Sequence, residues 1–222
     1  MSTEHALIEA AKELYEFLKK HNLKIVFTES CTGGQVAAAL TSIQSASEVL
    51  CGAFVTYAPS AKVEWLGVDE KSVHENAAVN AQVATEMAWR ALQVTDGADL
   101  AASVTGFLFP DGPAGQNGRT FMAMAMRQAG WKKLVGRSPT ESEISVYVTE
   151  HQLDAPKGKD VRRKSQLEAS QSLLLMVRSL LEDAVRSMSG SKKPRKKAEK
   201  APSAARTNVL RTQVRAPSRR RK

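Results

Sequence analysis

Residues 28–34 read TESCTGG, a serine and a cysteine side by side with two glycines behind them. Ser30 is a candidate nucleophile. It sits where an apolar run, LKIVF (23–27), gives way to the alanine-rich stretch QVAAAL. A serine hydroxyl attacks a carbonyl only when a base takes its proton, and lysine is one such partner. The segment TYAPSAK supplies one, with Tyr57 leaving a second apolar run and Lys62 five residues on. A lysine serves as a base only where desolvation or a nearby cation lowers its pKa, and a tyrosine hydroxyl beside it can relay a proton. Each residue also has a plainer role. Ser30 or Thr32 can cap a helix, worth about 1 kcal/mol. Lys62 can be a surface cation and Tyr57 the end of a strand. Cys31 is the rival nucleophile, but no histidine is tied to it, and a small cysteine is more often packing.

The elements that must carry these residues follow from periodicity. Residues 4–20 place Leu7, Ala10, Ala11, Leu14 and Leu18 at steps of three and four, which predicts an amphipathic helix. Strands are expected at 23–27, at 48–57 with a bulge at Gly52, and at 98–106, 119–128 and 143–151. Helices are expected at 32–42, 59–68, 81–94 behind an Asn80 cap, and 161–188. The stretch KKLVGRSPTES (132–142) reads as a strand plus a loop, and FLFPDGPAGQNG (107–118) as a long Gly/Pro loop of the kind that often carries function.

Strands alternating with helices predict an α/β layer fold, and the neighbouring runs 119–128 and 143–151 make part of the sheet antiparallel. Ligands in such sheets gather at the carboxyl ends of strands. Glu29, Thr32, Gly33, Gly34, Thr105 and Gly106 fall there and are the candidate substrate-binding positions. Backbone N–H groups at a helix start can meet an anion or a developing oxyanion.

Charge divides the chain. Residues 191–222 hold 13 of the 32 Lys+Arg and one of the 23 Asp+Glu, so the tail carries +12 and residues 1–190 carry −3. The tail has no aromatic residue, and its Pro, Ser and Ala leave little to bury. It is expected to be disordered over 190–222, beside a single folded domain over 1–189. Non-specific contact with nucleic-acid phosphates is the partner chemistry such a tail offers. The two cysteines need no disulfide, which suits a reducing cytoplasm. The scattered histidines show no metal-ligand spacing, no cofactor is called for, and no apolar run is long enough for a membrane span.

Taken in order, TESCTGG, then GAFVTYAPSAKVEWLGV, then the helix around Val83–Leu92, then ADLAASVTG, closely resemble the CinA C-terminal domain family over about residues 5–185. Its stand-alone members are nicotinamide-nucleotide amidohydrolases of the PncC type. The resemblance implies a three-layer α/β/α sandwich with a mixed, mostly parallel sheet, often paired as a homodimer. It implies hydrolysis of the carboxamide of nicotinamide mononucleotide to nicotinic acid mononucleotide and ammonia, without metal or cofactor. Ser30 matches the family nucleophile, and Lys62 and Tyr57 match the residues that activate it. Two departures stand out. Leu108-Phe109 replaces a small Ala-Gly pair before Pro110-Asp111-Gly112, which should narrow the pocket or leave a relative that binds without turnover. GKDVRRK stands where the family has an arginine segment near the substrate phosphate; the register is not a match, but Arg162, Arg163 or Lys164 could serve, and Arg163 is the candidate.

Overall fold

A computed structural model describes residues 2–188 and the backbone of Asn208–Leu210. The basic tail expected over 190–222 otherwise lies outside the described residues. The chain opens on helix α1 (Thr3–Lys20), capped by Ser2, whose hydroxyl accepts from His5 N at 3.2 Å. Strand β1 (Ile25–Glu29) is buried along its whole length, because it lies between β2 (Leu50–Val55) and β3 (Leu100–Gly106) and is parallel to both. The bulge expected in β2 is present: Ile25 faces Leu50 but Val26 faces Gly52, leaving Cys51 as the extra residue.

Beyond β3 the sheet turns antiparallel, through β4 (Arg119–Arg127) and β5 (Ile144–Gln152), with the three-residue β6 (Asn208–Leu210) at the edge. The order is β2-β1-β3-β4-β5-β6. β1, β2, β3 and β5 point one way and β4 the other, which is the mixed sheet that the alternating pattern predicted.

Strand alternation sorts side chains into two cores. Ile25, Phe27, Leu100, Val104, Met122, Met124 and Met126 face α1, α2 (Gln35–Thr41) and the closing helix α7 (Val161–Met188). Val26, Ala101, Ala123 and Ala125 face α5 (Ala81–Gln93). The alanines on that side let α5 lie close, and Ser103 Oγ donates to Ala84 O of the helix at 2.6 Å. Asn80 caps α5 as expected, accepting from Val83 N at 2.8 Å. The short helices α3 (Pro59–Leu66) and α4 (Glu70–His74) complete the layer on the α5 side.

One expected strand is a helix. The start of KKLVGRSPTES ends α6 (Gln128–Val135), with Trp131 and Leu134 buried one turn apart and Gly136 closing it at φ 78°. A run so short fits a strand or a helix turn equally well by periodicity. The buried indole, which donates from Nε1 to Ser145 Oγ at 2.6 Å, favours the helix.

Candidate active site

The end of β1 makes the first wall. Glu29 is fully buried, and its carboxylate accepts from Thr32 Oγ1 (2.8 Å), Gly34 N (3.0 Å), Val36 N (3.1 Å) and Ala37 N (2.9 Å). It therefore caps α2 from below, satisfying N–H groups that a helix start leaves unpaired. The chain reaches that helix through Gly33 and Gly34, both at positive φ (63° and 94°), a conformation that disfavours any side chain with a Cβ. Ser30 sits at the top of this turn, 7% exposed.

The second wall is the start of α3. Pro59 occupies the first turn, where its missing N–H is harmless, and Lys62 follows on the same turn. Lys62 is 2% exposed. Its Nζ lies 2.9 Å from Ser30 Oγ, 2.8 Å from Thr56 O and 3.4 Å from Tyr57 O. Burial pushes its pKa down to about 8, and among the described residues no carboxylate is hydrogen-bonded to it. A neutral amine has two hydrogens and one lone pair. In the neutral form, hydrogens donated to the carbonyls of 56 and 57 would leave the lone pair facing Ser30.

Tyr57 is placed otherwise than a proton relay requires. Its ring is 58% exposed, and its hydroxyl accepts from Arg162 Nη2 at 3.1 Å. What Tyr57 offers Lys62 is its backbone carbonyl. Cys31 lines the same cavity, but burial raises its thiol pKa to about 12, so it stays protonated and unreactive.

The cavity has a volume of about 410 Å³, within the range of small-molecule sites. Ser30, Lys62, Tyr57, Thr105 and Gly106 line it, whereas Glu29, Thr32, Gly33 and Gly34 lie behind its wall and shape it. Thr105 is spoken for: its hydroxyl donates to Ala78 O at 3.0 Å. Arg163 turns away toward α1, with Nη2 3.6 Å from Glu4 Oε1. Arg162 is the arginine of this pair that reaches the cavity, and its Nη1 lies 3.5 Å from Leu108 O. Of the basic residues Arg162, Arg163 and Lys164, Arg162 lines the cavity and the candidate Arg163 does not, because the register at the start of a helix decides which of two adjacent arginines faces inward.

Phe107, Leu108 and Asp111 also line the cavity. Leu108 is 1% exposed and belongs to the core on the α1 side, so only part of it borders the cavity. Phe109 points elsewhere, its ring over Gly118, where a Cβ would lie 2.5 Å from Phe109 Cε2. Of the bulky pair, Leu108 alone lines the cavity.

A buried serine in contact with a lysine of lowered pKa, at the carboxyl ends of parallel strands, defines a three-layer α/β protein with a candidate Ser–Lys site. The sequence pattern of the CinA C-terminal domain family matches residues 7–155, and the chain belongs to that family. It is 42% identical over 110 residues to "Nicotinamide-nucleotide amidohydrolase PncC" of Enterobacter agglomerans, covering 50% of this chain and 66% of that protein. A "CinA-like protein" of Chloroherpeton thalassium is 43% identical over 97 residues, 44% of this chain and 23% of that one. The chain thus spans under two thirds of these relatives' lengths. Among solved structures, the competence/damage inducible protein CihA of Agrobacterium tumefaciens superposes with a TM-score of 0.63 at 29% identity, covering 79% of this chain and 95% of that one. A CinA superfamily protein of Escherichia coli, at 24% identity and a TM-score of 0.60 over 78% of this chain and 90% of its own, shares the fold.

Proposed function

We propose that the protein is an amidohydrolase that converts nicotinamide mononucleotide to nicotinic acid mononucleotide and ammonia, with Ser30 as nucleophile. The observation that carries this reading is the 2.9 Å contact between Ser30 Oγ and Lys62 Nζ, two residues that line the cavity. Neutral Lys62 takes the hydroxyl proton as Oγ attacks the carboxamide carbon. The tetrahedral intermediate collapses, Lys62 returns the proton to the leaving nitrogen, and ammonia departs. Water, deprotonated by the same amine, then hydrolyses the nicotinoyl ester and restores Ser30. The names of the relatives support the choice of substrate. So does the cavity: Phe107 and Leu108 offer an apolar wall for a pyridine ring, and Arg162 at the mouth suits a phosphate.

The test is ammonia release from nicotinamide mononucleotide by the purified chain. Ser30→Ala and Lys62→Ala should each lower kcat/KM by about 10³-fold or more, equal to about 4 kcal/mol of lost transition-state stabilisation. Undiminished turnover by Ser30→Ala would end the proposal. Saturable binding without any ammonia would make the chain a nucleotide-binding relative that has lost the chemistry.

A further inference from the structure

An amide attacked by Ser30 develops negative charge on its oxygen, and a donor must meet it. The obvious donors are already taken. Gly34 N, Val36 N and Ala37 N all bond the Glu29 carboxylate, Gly33 N bonds Ser30 O and Gln35 N bonds Thr32 O. The start of α2 therefore presents no free N–H beyond Cys31 and Thr32. Of these two, Cys31 borders the cavity and Thr32 does not.

The neighbouring strand supplies what the helix lacks. Phe107 N donates across to Arg119 O on β4 at 2.9 Å, so alternation along β3 turns the Gly106 N–H the other way, toward β1. On that side Ser30 N donates to Val104 O at 3.1 Å. The next rung of a parallel ladder would join Gly106 N–H to the carbonyl of Ser30. The chain leaves the sheet there instead, and that carbonyl turns to accept from Gly33 N at 3.1 Å. Gly106 is left at the cavity wall beside the nucleophile with no intramolecular acceptor among the described residues.

Resting on the reading of Ser30 as nucleophile, we infer that the missing rung is the oxyanion hole, with Gly106 N–H as its donor. The turn that exposes the serine and the turn that frees the donor are one and the same. A glycine at 106 has a second reason: a Cβ there would lie 2.5 Å from Thr120 Cγ2 and 3.0 Å from Arg119 O. Gly106→Ala therefore disturbs packing and is no clean test.

A clean test leaves the chain intact. Pyridine-3-carbaldehyde presents the carbonyl without the leaving group. Ser30 Oγ adds to its carbon, the carbonyl π pair moves to oxygen, and Lys62 holds the proton. Carbon-13 label on the aldehyde reports the adduct, and nitrogen-15 amide spectra report the donor. The Gly106 amide proton should move downfield as the adduct forms, and should stay in place in Ser30→Ala. An adduct that instead moves the Cys31 or Thr32 amide overturns the inference. So does the absence of any adduct in protein that releases ammonia from nicotinamide mononucleotide. Absence of both ammonia and adduct strikes the reading of the site itself, and with it the inference.

Discussion

Two buried charges stand at neighbouring strand ends, and their surroundings differ in kind. Glu29, at the end of β1, meets four donors. Lys62, a turn into α3, meets two carbonyls and one hydroxyl and, among the described residues, no counter-charge. A carboxylate saturated with hydrogen bonds serves as scaffold. An ammonium deprived of water and of any anion is easily discharged, which is what a base at near-neutral pH needs. The same desolvation that weakens one group as a charge makes it useful as a reagent.

That contrast can be broken from both ends. The largest effect is expected at the reagent end, in the Ser30→Ala and Lys62→Ala losses already described. At the scaffold end, Glu29→Ala leaves several buried N–H groups unpaired and should remove about 3 kcal/mol or more of folding stability, read by urea unfolding. Activity should fall only as far as the Ser30 turn loosens. If Glu29→Ala abolished turnover with stability intact, Glu29 would belong to the chemistry and the contrast would fail.

The pH profile sharpens the lysine side. Because Lys62 must be neutral to act, kcat/KM should climb about tenfold per pH unit below the folded pKa and level off above about 8. The stability effect has a definite sign as well. A lysine depressed to about 8 from its usual value of 10.5 binds fewer protons folded than unfolded between those values. Stability should therefore rise with pH across that window and be penalised below it, a slope that Lys62→Met should remove.

Smaller effects are expected at the rim. Arg162→Ala should raise KM for the mononucleotide by about tenfold, the loss of one charge-assisted contact, and leave KM for the corresponding phosphate-free nucleoside unchanged. Arg163→Ala should change neither, since that side chain pairs toward Glu4. The smallest effect is at Cys31. With its thiol held protonated by burial, Cys31→Ala should keep the proposed activity within about threefold, and iodoacetamide should not abolish it.

The 107–118 loop shows where reading the chain alone reached its limit. Leu108-Phe109 could be seen as bulky and as standing where close approach matters. Which way each ring or branch pointed depended on Gly118, nine residues further on, which leaves room for the Phe109 ring to lie outside the cavity. Tyr57 gives the same lesson: its place after β2 was legible, but its hydroxyl is captured by Arg162, 105 residues away in sequence.

What the chain's own order of residues determined is local. The glycine pair after Thr32 dictates a left-handed turn, the alternating runs dictate strands with two faces, and the stripe of 161–188 dictates a long packing helix. The partners of each polar atom came only with assembly. Desolvation of Lys62, the filling of the α2 start by Glu29 and the vacancy beside Gly106 each arise from groups brought together across the sheet. Hydrogen bonding and burial are properties of the packed neighbourhood, and a linear pattern specifies which groups exist but not which of them meet.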